Sequence, residues 1–254
     1  MKKILATVLA FTCAFALMGC GGGSNSSSGT TSGSSQQQAD DKKGEGVMTY
    51  DEYVKADLDT EVTIEAYVQG KQSWWDNKAS VYAQDKDGGY FLYNMACSQD
   101  NYTKLTDGTK IKVKGYKAEW SGEVEIVDAT FEIEDGNYIA TAVDVTDKLG
   151  TDDLIKYQNQ KVAFKDMTVE KVNDAGDVFM YNWDGSGSRG DDVYFKVSKD
   201  GKTYSFTVES YLCDKDTEVY KAVEGLSVGQ TVDLEGFLYW YEGANPHITS
   251  VKVK

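Results

Sequence analysis

The chain has 254 residues, with 41 acidic against 26 basic side chains, a formal net charge of −15, one histidine and four cysteines. A surface so charged stays in solution and repels phosphate backbones and anionic lipid head groups. A lone histidine also excludes any metal site built on a histidine pair, and the length suits one large or two small domains with ordinary cores.

Lys2 and Lys3 precede an apolar run, Ile4 to Met18, that is too short and too abruptly ended to span a bilayer stably. It closes on Leu17, Met18, Gly19 and Cys20. This resembles the Leu-x-Gly-Cys lipobox of bacterial lipoproteins, which implies a signal peptide over 1–19, cleavage before Cys20 and diacylglycerol on its sulfur. The alternative is an ordinary secretory signal with an incidental cysteine. A lipoprotein cysteine carries at least two acyl chains, enough to anchor stably where one holds only marginally. Residues 20–46 then form a tether, because Gly21 to Gln38 is almost entirely Gly, Ser, Thr, Asn and Gln and cannot bury enough apolar surface to order. Extended to Met48, its root-mean-square reach is roughly 30 Å. Removing Lys2 and Lys3 with the signal leaves 24 basic against 41 acidic residues, a net of about −17. The expected location is the cell membrane, lipid-anchored and facing outside the cytoplasm.

Two domains are expected, over 47–139 and 140–254. Tyr50, Tyr53 and Val54 are spaced for one or two helical turns, and Val62, Ile64, Ala66 and Val68 alternate with Thr63, Glu65 and Tyr67 as a half-buried strand. After a loop with Trp74 and Trp75, strands at Ser80–Gln84 and Tyr90–Met95 flank an Asp-Gly turn, Asp85 to Gly89. Gln99–Leu105 suits a short helix, and a hairpin follows to Ile126. Asn137–Gly150 connects to a second run of the same order: Lys161–Glu170, Val178–Tyr181, Val193–Val197, Thr203–Val208, a helix within Asp214–Val223, and a last hairpin from Leu226 to Ile248. Pro246, the only proline, falls where an edge or bulge tolerates it.

The two hairpins are copies. The first carries Gly108, Ile111, Val113, Gly115, Trp120, Gly122 and Ile126; the second carries Gly229, Val232, Leu234, Gly236, Trp240, Gly243 and Ile248, with the leading glycines seven apart in both. Each reads as a turn glycine, an alternating strand, a glycine bend, a Trp-bearing loop and a return strand. Five strands with a helix between the third and fourth is the plan of the OB fold. The chain resembles bacterial surface lipoproteins with tandem OB-like modules, through Val62–Val68, the Lys86-Asp87-Gly88 turn, Gly108–Ile126 and their second-copy partners. The fold expected is therefore all-β: two five-stranded Greek-key barrels, each with a short helix, behind a disordered tether. A single ten-stranded β-sandwich is the competitor.

OB folds bind through strands 2 and 3 and the loops joining strands 1–2 and 4–5. Trp74, Trp75 and Trp120 of the first copy, and Trp183, Trp240 and Tyr241 of the second, fall in such loops. Their faces suit stacking on sugar rings, bases or a partner's apolar side chains; the plainer alternative is that they close the barrel ends. Successive side chains point opposite ways, so at least one of Trp74 and Trp75 should be wet.

Lys110, Lys112 and Lys114 share one outward face, but Thr231, Asp233 and Glu235 replace them in the copy. A solvated face is one reading and a charge-paired barrel interface another. Gly185 to Gly190 matches a dinucleotide fingerprint literally, yet it lies between β runs and Asp184, Asp191 and Asp192 flank it; with its Arg189-Gly190-Asp191 tripeptide it reads as a loop. Asp85 and Asp87 echo a calcium loop that Ala96 fails to close. Cys97 and Cys213 fall near corresponding places in the two copies; free, partly buried thiols are expected, with a disulfide between them as the alternative. No metal, cofactor or catalytic residue is singled out. These features predict a non-catalytic binding or assembly module held to the membrane by its lipid, with a glycan, cell-wall or protein partner. Single-stranded nucleic-acid binding and a carboxylate-dependent surface hydrolase are the alternatives.

Overall fold

The computed structural model describes residues 42–254. The expected signal peptide, Cys20 and most of the tether lie outside the described residues. The first barrel is built from β1 (Glu61–Lys71), β2 (Lys78–Gln84), β3 (Gly89–Ala96), β4 (Thr109–Trp120) and β5 (Glu123–Asn137), preceded by helix α1 (Tyr50–Lys55), with helix α2 (Gln99–Lys104) between β3 and β4. The strands close in the order β1-β2-β3-β5-β4, β3 and β5 running parallel and the other pairs antiparallel. That is the OB topology.

The second barrel repeats it. β6 (Val143–Asp144), β7 (Lys161–Glu170), β8 (Phe179–Tyr181), β9 (Val193–Lys199), β10 (Lys202–Val208), helix α3 (Glu218–Glu224), β11 (Thr231–Phe237) and β12 (His247–Val253) follow in sequence. Pairing of β7 with β9 closes β7-β11-β12-β10-β9 into a ring, again with one parallel pair, β10 and β12. β6 and β8 are additions at its rim.

The expected alternation points inward as read: Val62, Ile64, Ala66 and Val68 meet Leu92, Ile111, Val113 and Ile126 in one core, while Phe164, Phe195, Phe206, Val232, Leu234 and Ile248 fill the other. Phe164 and Met167 face the same core although three residues apart. A bulge between them, opposite Val232 and Leu234, resets the phase.

The hairpin glycines have separate physical reasons. Gly108 and Gly229 sit at φ of 87° and 86°, the left-handed region that a side chain disfavours. Gly115 and Gly236 adjoin bulges where the return strand passes close: a Cβ on Gly115 would lie 2.8 Å from Ile126 and Val127 atoms, and one on Gly236 would overlap the His247 carbonyl. The tips then differ. Ser121 and Gly122, both at positive φ, make a two-residue turn right after Trp120, which is the last residue of β4 and not a loop residue as expected. The second copy has a long loop between β11 and β12 instead.

Helix α1 begins with a capping box of Thr49 and Glu52. It ends on Lys117, whose ammonium donates to the carbonyls of Tyr53, Val54 and Ala56 at 3.1, 2.9 and 2.7 Å, complementing the negative end of the helix. The tether was expected to run through Gly46. Instead Lys43 pairs with Asp85 at 2.6 Å and the Gly44 amide donates to Glu65, so the chain already lies against the first barrel there. The lysine stripe does not meet the acidic one either. Lys110 bridges Glu65 and Glu134, and Lys114 pairs with Glu61, whereas Asp233 and Glu235 face Lys165 within the second barrel.

Candidate functional site

In the first barrel the face made by β2 and β3, where OB folds usually bind, is covered by the second barrel around Tyr82 and Phe91 and left open at Lys78, Ser80, Tyr93 and Asn94. Tyr82 and Phe91 point outward from it and pack on Phe237, Leu212 and Tyr239. The Tyr82 ring stacks on Phe237 with centroids 4.3 Å apart, and its hydroxyl lies 3.0 Å from His247 Nδ1. Around this apolar centre, the Gln84 side-chain Oε1 accepts from the Lys161 backbone amide, the Gln158 side chain donates to the Gly122 carbonyl, and Glu123 accepts from the Trp240 backbone amide at 2.8 Å. Burial raises the Glu123 carboxyl to about 8.

Beside this junction the barrels enclose a cleft of about 830 Å³. The first barrel supplies Phe91, Tyr93 and Trp120, and Gln72 just past β1; the second supplies Tyr194 from β9, Ser205 from β10, His247 from β12, Tyr239, Tyr241, Glu242, Ala244 and Asn245 from the β11–β12 loop, and Trp183 from the long segment between β8 and β9. The second barrel thus contributes its own equivalents of β2 and β3, the strands β9 and β10, to the cleft wall. Trp120 packs at 5.0 Å against Tyr241, and Tyr239 stacks on His247 at 4.4 Å. Trp183 is 74% exposed.

The polar lining is amide and carboxyl. Glu209 is raised to about 7, first by burial and then by the charge of Asp192, and it accepts from Gln72 and from the Tyr211 amide at 3.1 Å each. Asp192 accepts from the Ser210 amide and hydroxyl. Asn245 accepts from the Thr207 hydroxyl through its carbonyl oxygen. Among the described residues, neither lysine nor arginine lines this cleft. Gln72 and Tyr93 also line an adjoining hollow of about 460 Å³ with Trp75, Tyr211 and Asn94, so the two form one trough.

The structure brings Trp120, Trp183 and Tyr241 together in the cleft and puts Trp75, 78% exposed, in the adjoining hollow. Trp74 and Trp240 serve the scaffold. The Trp74 indole donates to the Cys97 carbonyl at 2.9 Å, and Trp240 packs on the second core. The tyrosines at 93, 194, 211 and 239 were not foreseen. A strand's outward tyrosine carries no signal until the neighbouring barrel is present.

His247 is buried and its pKa falls to about 3, so it stays neutral and holds Tyr82 instead of acting as a base. Asp85 accepts from the Asp87 and Gly88 amides with one oxygen and engages Lys43 and Tyr90 with the other, which makes it a turn anchor and no calcium ligand. Arg189 of the tripeptide pairs with Glu224 at 2.9 Å. Cys97 and Cys213 are both buried and free.

No family model and no curated protein matches the chain. Solved structures do match. The tetrameric p202 HIN2 is 9% identical, with 78% of this chain and 96% of that chain covered and a TM-score of 0.32. The Ifi202 HINa domain in complex with 20bp dsDNA is 14% identical over 78% and 96%, with a TM-score of 0.34. A murine DNA binding protein bound with ds DNA is 10% identical over 75% and 94%, with a TM-score of 0.35. At these scores the strand order, and not the likeness, carries the fold assignment.

Proposed function

We propose that the protein is a non-catalytic binding module, held to the outer face of the membrane by lipid on Cys20, with its ligand seated in the cleft at the barrel junction. The observation that carries this reading is the convergence of exposed Trp120, Trp183 and Tyr241, drawn from both barrels, on one cleft of about 830 Å³. Pockets of that size with aromatic walls and a few fixed polar groups are where ligands bind. Packing of Trp120 on Tyr241 at 5.0 Å sets those two rings in place before a ligand arrives, which lowers the ordering cost of binding.

The nucleic-acid alternative rests on the OB fold alone, and fold does not carry function. Asp192, Glu209 and Glu242 on the cleft wall and a net charge of −15 oppose a phosphate backbone. The hydrolase alternative would draw its carboxyl pair from Asp192, Glu209 and Glu242, of which internal hydrogen bonds already engage the first two.

The test uses the full-length protein in detergent against a panel of neutral oligosaccharides, a single-stranded oligonucleotide and oligolysine. Binding of at least one probe, weakened about tenfold or more by Trp120→Ala or Trp183→Ala, is expected. Binding that ignores both substitutions, or turnover of any oligosaccharide, overturns the reading.

A further inference from the structure

The trough has three properties that together select a ligand. Its rings line two adjoining hollows, with Tyr93 lining both, Trp75 and Tyr211 in the smaller, and Trp120 and Trp183 in the larger. Trp75, Tyr211 and Trp183 are 78, 67 and 74% exposed, so their faces are unspent by packing. The combined hollow also exceeds what a single small molecule fills, since drug-sized ligands occupy pockets of roughly 300–1,000 Å³.

Charge narrows the choice further. The larger hollow has carboxyls and amides but no basic side chain among the described residues, and the smaller one has a single lysine, Lys78, so one ammonium faces the three carboxylates of the larger wall, which disfavours phosphate, sulfate or uronate chains. A cationic ligand would want a carboxylate free to pair with it. Glu209 is instead buried and tied to Gln72 and the Tyr211 amide, and Asp192 is tied to Ser210, which leaves the exposed Glu242 as the single carboxylate open to a cation, too few for a polycationic chain. Remaining acceptors and the amides of Gln72 and Asn245 match hydroxyl groups, which both donate and accept. A pyranose with equatorial hydroxyls has an apolar C–H face for an indole and a rim of hydroxyls for such groups.

We propose that the trough binds an extended, uncharged polysaccharide chain, with successive sugar rings laid on aromatic side chains from the Trp75 hollow across Tyr93 into the Trp120–Trp183 cleft. This rests on the proposed function and deepens it by naming the ligand class and its path. A chain spanning both hollows gains contacts as it lengthens, so affinity rises with length until the trough is filled.

Calorimetric titration of the full-length protein in detergent tests this with cellobiose and cellohexaose, xylohexaose and mannohexaose as neutral probes, an oligogalacturonate as the anionic one, a single-stranded oligonucleotide and oligolysine. The expected result is binding of at least one neutral hexasaccharide, and of its disaccharide at least tenfold more weakly. Trp75→Ala should weaken the hexasaccharide roughly tenfold, the scale of one stacking contact, and leave the disaccharide unchanged. Thermal melting of the variant confirms the fold, which the exposure of Trp75 protects. Equal affinity for short and long probes, or a hexasaccharide indifferent to Trp75→Ala, overturns the extended path while leaving the cleft as a site. Preference for the oligogalacturonate, oligonucleotide or oligolysine, sensitive to Trp120→Ala, overturns the ligand class but not the cleft. If no probe depends on Trp120 or Trp183, both readings fail.

Discussion

Tyr82 of the first barrel and Phe237 of the second stack face to face, their rings 4.3 Å apart and 3° from parallel, and neither is accessible to solvent. Truncating one leaves a cavity at the centre of the junction. Phe237→Ala should lower stability by about 3 kcal/mol, read from denaturant midpoints, and should expand the particle in solution scattering as the barrels part. Phe237→Leu should keep most of both. A Phe237→Ala protein with wild-type midpoint and dimensions would show that polar contacts alone hold the barrels.

Glu123 sits within the same junction without a cation. Its Oε2 accepts from the Trp240 amide and from Gln158, while Oε1, like the Asn159 Oδ1, has no hydrogen-bond partner among the described residues. A proton on Oε1 fits that arrangement, and burial raises the carboxyl from its ordinary 4.5 to about 8. Glu125 and Glu209 are raised to about 7, also by burial. A carboxyl raised in the fold keeps a proton that the unfolded chain gives up, so its stabilising effect is full below about pH 4.5 and is lost as pH rises through the folded value. Melting temperature should therefore fall between pH 5 and 8. Glu123→Gln, which mimics the protonated form, should flatten part of that slope; an unchanged slope would rule Glu123 out as its source.

The hairpin glycines separate two kinds of constraint. Gly229→Ala meets no atom within 4 Å and suffers only the left-handed backbone, about 1 kcal/mol. Gly236→Ala drives a methyl group into the His247 carbonyl and should destabilise by about 3 kcal/mol or more. Equal losses in chemical denaturation would refute the distinction.

Lys117 closes helix α1 with three hydrogen bonds to carbonyl oxygens. Lys117→Met keeps the stem and removes the donors, leaving those carbonyls short of partners at a cost of about 2 kcal/mol. Hydrogen exchange should quicken over Tyr50–Ala56 and stay unchanged in α3. Uniform exchange across both helices would deny the lysine this role.

Much of the scaffold was written locally. Alternation in Val62–Val68, the Asp85 turn and the paired glycines at 108, 115, 229 and 236 encode two barrels, because period-two burial and positive φ are decided within a few residues. Where local pattern met a bulge, as between Phe164 and Met167, the phase change was readable only as a break. The junction and the cleft belong to another scale. Gln72 meets Glu209 across 137 residues and Tyr82 meets His247 across 165. An outward tyrosine on β2 and another on β3 look alike in sequence, yet Tyr82 became core and Tyr93 a cleft wall. The sequence by itself determined two OB barrels and an acidic surface; tertiary structure alone decided which barrel's face is covered, that Trp74 and Trp240 are scaffold, and that Trp120, Trp183 and Tyr241 share one hollow. The physical reason is that burial of an outward side chain depends on what docks against it, and docking is set by surfaces far apart in the chain.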